Sequence, residues 1–208
     1  MIHLITGGSG SGKSEYAENW LTGRDKKQEY TKYYPNGRKI REEEPGVNGE
    51  EEQKKDDIFV YIATMQPYTE ETLKKIERHH RLRAGKGFRT LEKYTDLAEF
   101  EIPENQGILL ECISNLVANE LYRDDGTLND LKETEEKVLA GVRRLNDSTA
   151  RLAIVTNEVT ADINGYSEET EKYRKCIGRV NQRLAELADI VTEVVYGIPV
   201  CVKGTKEA

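Results

Sequence analysis

The sequence predicts an α/β fold, a mostly parallel β-sheet covered by helices, and three observations carry that expectation. Short apolar runs of five or six residues recur along the chain with little polar alternation, as strands buried on both faces do. Segments with apolar residues at helical spacing lie between them. The first run feeds a glycine-rich turn and then a helix-forming stretch, a strand–loop–helix opening typical of α/β sheets.

Taken in order, the expected strands are residues 2–6, 58–63, 107–111, 152–156 and 190–195, with a short one at 199–202. A first helix is expected from Glu15 to Leu21. A second follows Thr69, a suitable N-cap with Glu70 and Glu71 in the first turn, and runs to Arg83. Leu131, Val138, Val142 and Leu145 mark one later helix, and Val180, Leu184, Leu187 and Val191 another. Residues 24–57 break the pattern, being dense in Lys, Arg, Glu and Asp, with two prolines and three glycines. So long an irregular stretch reads as a solvated insertion between the first helix and second strand, although Tyr30, Tyr33 and Tyr34 leave room for a hairpin or packed flap. The expectation is a single domain over 1–208 with a charged insertion at about 24–57.

Composition narrows the function classes. A net charge of -7 argues against a general nucleic-acid binder, which needs clustered Lys and Arg. No apolar stretch approaches the roughly 20 residues that span a bilayer, and no leader pattern precedes the first strand. Cys112, Cys176 and Cys201 contain no CxxC pair, which suggests a reducing compartment and no metal cluster. The cytoplasm is the expected location, with no stable membrane insertion.

The glycine-rich turn has specific chemistry. Gly7-Gly8-Ser9-Gly10-Ser11-Gly12-Lys13-Ser14 carries the full G-x-x-x-x-G-K-S spacing of a phosphate-binding loop, between a strand and a helix as that motif requires. Glycines let successive N–H groups turn inward at a helix N-terminus and form an anion-binding concavity. Lys13 is then placed for the β- and γ-phosphates, and the Ser14 hydroxyl for Mg²⁺. The fold is therefore expected to be that of a P-loop NTPase.

Ligands of open α/β sheets gather outside the carboxyl ends of the strands. Glu111 ends the run Ile108-Leu109-Leu110, where a carboxylate would face the metal. Asn157 and Glu158 follow Ile154-Val155-Thr156 in a similar place, with turn chemistry the alternative for Asn157. His79 and His80 are two of only three histidines. On the second helix Leu73, Ile76 and position 80 fall on one stripe, so His80 reads as a packing residue and His79 as a reagent pointing across the surface. Arg78, Arg81 and Arg83 make that neighbourhood cationic, which attracts phosphate and favours the neutral, nucleophilic imidazole. His3 belongs to the first strand.

Several segments together resemble one family. They are the P-loop itself, Tyr61-Ile62-Ala63-Thr64, Ile76-x-x-His79-x-x-x-Arg83, Arg89-Thr90-Leu91-Glu92, Leu109-Leu110-Glu111-Cys112-Ile113, Val155-Thr156-Asn157-Glu158-Val159 and Gly178-Arg179-Val180-Asn181-Gln182-Arg183-Leu184-Ala185. In this order they resemble the bifunctional adenosylcobinamide kinase / adenosylcobinamide-phosphate guanylyltransferases of cobalamin assembly. The likeness covers nearly the whole chain except 24–57. It implies a RecA-like P-loop scaffold and two reactions: phosphorylation of adenosylcobinamide by ATP or GTP, then guanylyl transfer from GTP through a guanylyl-histidine intermediate.

By the same resemblance the nucleophile falls on His79, with the adjacent His80 as alternative, and Lys13 serves catalysis. Nucleotide contacts fall on Gly7, Gly8, Ser9, Gly10, Ser11, Gly12, Lys13, Ser14, Ala63, Thr64, Met65, His80, Arg81, Leu82, Arg83, Glu92 and Glu111. Mg²⁺ falls on Ser14 and Glu111. The partners implied are a corrinoid, nucleotides and further copies of the chain in a small homo-oligomer. Two departures stand out: the insertion, and Arg83-Ala84-Gly85-Lys86-Gly87-Phe88, which is one residue longer than the family pattern and has Phe88 where tryptophan is usual. A P-loop kinase for another small molecule, or a non-catalytic nucleotide switch, would need no nucleophile at position 79.

Overall fold

The computed structural model describes residues 1–24, 58–83, 85–158 and 165–204, apart from the side chains of Lys75, Arg78, His80 and Leu82. Its strands are β1 (Ile2–Thr6), β2 (Phe59–Ala63), β3 (Phe88–Glu92), β4 (Gly107–Glu111), β5 (Leu152–Val155), β6 (Ile190–Val195) and β7 (Ile198–Lys203). They form one sheet in the order β3-β2-β4-β5-β1-β6-β7. Every neighbouring pair is parallel except β6 and β7, an antiparallel hairpin. This is the mostly parallel P-loop sheet that the sequence predicts.

Alternate side chains of each central strand enter different cores. Leu4, Val60, Ile62, Ile108, Leu110, Leu152 and Ile154 point to one face. There they meet α3 (Ile113–Leu121), α4 (Leu131–Asp147) and α5 (Glu168–Leu187) through Leu116, Leu139, Val142, Ile177 and Val180. Ile5, Tyr61, Leu109, Ala153 and Val155 point to the other, against Ala17, Trp20 and Leu21 of α1 (Lys13–Thr22). Burial on both faces explains why these strands read as continuous apolar runs. Asp130 caps α4 by accepting from the N–H groups of Lys132 and Glu133, and Ser167 caps α5 by accepting from Thr170.

Four expectations need correction or supplement. β3 escapes the strand reading because Phe88-Arg89-Thr90-Leu91-Glu92 is an edge strand in which only Phe88 is buried and polar residues fall on both faces. α3 is an element that the expected set lacks. The stripe read as Val180, Leu184, Leu187 and Val191 ends at Leu184: Leu187 is exposed, and Val191 lies in β6. Its inner continuation runs the other way, to Cys176 and Ile177. On α2 (Glu70–Arg83) Leu73 is 49% exposed, so it is not part of a buried stripe with Ile76, and the side chain at position 80 lies outside the described residues. The insertion and its three tyrosines lie outside the described residues. Among the described residues no helix is long and apolar enough to cross a membrane. The three cysteines are free thiols, Cys112 and Cys176 buried and Cys201 exposed.

His3 is built into the core behind the loop strand. Its Nε2 lies 2.8 Å from the Thr192 hydroxyl, and its ring meets Trp20 and Tyr16 edge-on. Burial, then the nearby Arg151 charge, holds its pKa down to about 4. The unfolded chain therefore binds a proton that the folded protein excludes, and stability falls as pH drops from about 6.5 toward 4. Full protonation of the unfolded histidine costs on the order of 3 kcal/mol. Urea unfolding of His3→Gln should lack that share of the acid dependence between pH 6.5 and 4.

Candidate active site

The phosphate loop joins β1 to α1, and its glycines are dictated by close approach. Gly7 has φ +149°, and a Cβ there would sit 2.5 Å from the Val194 carbonyl oxygen. Gly12 adopts φ +93° as the residue before the first turn of α1, a conformation that favours glycine. The Gly197 N–H, in the β6–β7 turn, donates to the Ser11 carbonyl at 2.8 Å and braces the loop from behind. Lys13 folds back so that Nζ donates to the Gly8 carbonyl at 2.9 Å. Burial lowers the pKa of its ammonium, against the opposing pull of Glu111.

Glu111 ends β4 in register with Ala63 of β2 and Val155 of β5. Its two oxygens have separate partners. The Ser14 hydroxyl donates to Oε1 at 2.5 Å, and the Tyr61 hydroxyl donates to Oε2 at 3.0 Å. Tyr61 is buried, which together with the Glu111 charge pushes its hydroxyl well above the usual phenol range and keeps it a donor. Thr64 bridges the ends of β2 and β4: its hydroxyl both accepts from the Cys112 N–H and donates to the Cys112 carbonyl, each at 2.8 Å.

α2 brings the third group. Thr69 caps it, its hydroxyl accepting from the Thr72 N–H at 3.1 Å. The inward residues are Ile76, His79 and Arg83, spaced by three and four along the helix. They line a small cavity of about 50 Å³ with Tyr61, Ala63, Met65, Glu111, Cys112 and Asn115. His79 is thus half-buried and faces the Glu111 side, rather than pointing across the surface as the helical wheel suggested. Arg83 is only 4% exposed, and its guanidinium stacks 3.5 Å above the Tyr61 ring. Its Nε and Nη1 have no hydrogen-bond partner among the described residues. A buried cation with unmet donors favours an anion.

Beyond Arg83 the one-residue-longer segment has a structural role. Lys86 makes an ion pair with Glu18 of α1, whose side chain is 7% exposed. Burial raises the Glu18 pKa, more than Lys86 lowers it. This pair ties the end of the histidine helix to the phosphate-loop helix.

The structure brings Lys13, Ser14 and Glu111 together, and gathers His79, Arg83, Ala63 and Met65 beside Glu111. The other predicted residues lie outside that cavity's lining. Ser9 and Gly10 sit exposed at the loop tip, and Arg81 is exposed on α2. Glu92 is exposed at the end of β3 and accepts from the Tyr94 hydroxyl at 2.6 Å. The Asn157 amide donates to the Ser114 hydroxyl at 2.7 Å, and Glu158 is exposed. The side chains of His80 and Leu82 lie outside the described residues. Tyr61 and Asn115 line the cavity without being among the residues that the sequence marks as site residues. Tyr61 had a signal, because a phenol within a buried strand must find a partner for its hydroxyl.

The sheet order, the loop and the strand-end carboxylate define a P-loop nucleotide-binding protein. The model of the cobinamide kinase / cobinamide phosphate guanyltransferase family matches residues 48–202. The chain belongs to that family, and is by family a kinase and nucleotidyltransferase. It is 31% identical to the bifunctional adenosylcobalamin biosynthesis protein CobU of Escherichia coli, over 98% of this chain and all of that one. The protein of the same name from Salmonella typhimurium is 29% identical, over 98% of this chain and all of its own length. The bifunctional adenosylcobalamin biosynthesis protein CobP of Pseudomonas aeruginosa is 30% identical over 69% of this chain and 82% of its own.

Removing Lys86 strands the Glu18 carboxylate. Lys86→Met should cost on the order of 2 kcal/mol, below the roughly 3–5 of a fully buried pair, and lower Tm by roughly 4–8 °C. Adding Glu18→Gln should recover most of that loss in a thermal melt.

Proposed function

We propose that this protein catalyses two successive steps of cobalamin biosynthesis with the groups gathered at this strand edge. In the first, the aminopropanol hydroxyl of adenosylcobinamide attacks the γ-phosphorus of ATP or GTP. The hydroxyl loses its proton and the nucleoside diphosphate leaves. In the second, an imidazole nitrogen of His79 attacks the α-phosphorus of GTP and expels pyrophosphate. A phosphate oxygen of adenosylcobinamide phosphate then displaces the histidine, giving adenosylcobinamide-GDP and restoring the imidazole. The observation that most supports this reading is the cavity lined together by His79, Glu111 and Arg83, whose Nε and Nη1 lack hydrogen-bond partners among the described residues.

The geometry supports a role for each group. The N–H groups of residues 7–14 cradle phosphate at the start of α1, and Lys13 leaves the Gly8 carbonyl to meet it. Arg83 neutralises charge on the phosphorus attacked by His79. Main chain from Ala63 to Met65, with residues 80–83 and Glu92, completes the nucleotide contacts. The Ser14 hydroxyl and the Glu111 carboxylate are hard oxygen donors held 2.5 Å apart, a fit for Mg²⁺, which takes one or two protein ligands and completes its shell with phosphate and water. When bound, that ion offsets the charge of the transferred phosphoryl group. We place the enzyme in the cytoplasm as one domain over 1–208, in a small homo-oligomer with no nucleic-acid partner. The exposed face of β7, with Ile198 and Val200 two residues apart, and Tyr196, 94% exposed, in the turn before it, supports a contact between copies.

Incubated with Mg²⁺, GTP and a pyrophosphatase, the protein should gain the mass of one guanylyl group, seen by intact mass spectrometry. His79→Ala should abolish the adduct and His80→Ala retain it; the reverse result assigns the nucleophile to His80. No adduct in any form would overturn the transferase reading. Val200→Glu should shift the light-scattering mass toward the monomer while leaving the adduct intact.

A further inference from the structure

Arg83 and Glu111 carry opposite charges and line the same cavity, yet no ion pair joins them. Tyr61 stands between. Its ring holds the guanidinium by a cation–π contact at 3.5 Å, and its hydroxyl holds Glu111 Oε2 at 3.0 Å. The ring cannot slip aside. Tyr61 is 3% exposed, sits within β2 with strands hydrogen-bonded on both sides, and is packed edge-on by Phe88 at 6.4 Å between centroids. An arginine close to a carboxylate ordinarily forms a bidentate pair, which would satisfy both groups and leave neither for a ligand. Here the ring offers the cation a face without hydrogen-bond acceptors, so Nε and Nη1 stay unmet. The phenol offers the carboxylate one neutral donor, and Oε1 stays with Ser14.

We propose that Tyr61 is a positioning residue that separates Arg83 from Glu111, keeping the cation for the phosphate of a bound nucleotide and the carboxylate for the phosphate loop. The proposal rests on the reading of this cavity as the nucleotide site. Loss of the ring lets the two charges collapse onto each other, and the site loses both at once.

A double-mutant cycle distinguishes separation from simple packing. Its readout is the calorimetric Kd for GTP in the presence of Mg²⁺, which does not require His79 to react. Failure to form a guanylyl adduct would therefore count against the transferase chemistry and leave this test standing. Tyr61→Leu should weaken GTP binding about tenfold in the wild-type background and less than about twofold when Glu111 is already Gln, because no carboxylate remains to capture Arg83. Tyr61→Phe keeps the ring, and should weaken binding by less than about threefold in either background. Equal losses from Tyr61→Leu in both backgrounds, or a Tyr61→Phe loss as large as that of Tyr61→Leu, would overturn the proposal. Wild-type protein that does not bind GTP would overturn it together with the nucleotide-site reading.

Discussion

Parallel pairing is the constraint from which the rest of the structure follows. Because β1 to β6 all run the same way, their carboxyl ends fall along one edge, and every connection must begin there. The loop after β1, the carboxylate ending β4 and the segment after β2 are close in space although distant in sequence. Hydrogen bonds between strand ends then fix the spacing, with the Thr64 hydroxyl binding the Cys112 backbone on both sides. Chemistry at this edge inherits its precision from a sheet whose central residues are fully buried.

What the sequence shows clearly is what chemistry dictates locally. The phosphate loop could be read because its glycines answer to backbone geometry, and the structure shows that requirement at Gly7 and Gly12. Central strands could be read because both faces are covered. β3 could not, since an edge strand needs less apolar sequence. The inward face of α2 is hard to read for a related reason. The helical wheel ranks Leu73 as core, whereas the helix turns Ile76, His79 and Arg83 inward and exposes Leu73. Apolar periodicity finds the face that packs on a core, but this helix turns its chemical face toward the cavity it shares with Glu111.

The electrostatics of the site depend on burial more than on the number of charges. Lys13 is held below the ordinary lysine range and Glu18 above the ordinary carboxylate range, in both cases chiefly through desolvation. Lys13 is poised to gain from an anionic ligand, because an incoming phosphate replaces contacts that water can no longer supply, whereas Glu18 already has its counter-charge in Lys86. The chain's overall negative charge therefore says little about this edge, where the cations lie inside the protein.

The distribution of thiols has a practical consequence. Cys112 adjoins the site, but burial raises its pKa against the opposing pull of the Ser114 hydroxyl 3.0 Å from its sulfur, so it presents little thiolate to solvent. Cys176 is buried and pushed up to about 11. Cys201, on the edge strand β7, is the exposed thiol of the three. A maleimide dye would consequently attach at one place without engineering. That place is beside Ile198 and Val200, so the native chain carries a fluorescent handle that reports on neighbours at its own sheet edge and leaves the phosphate loop untouched.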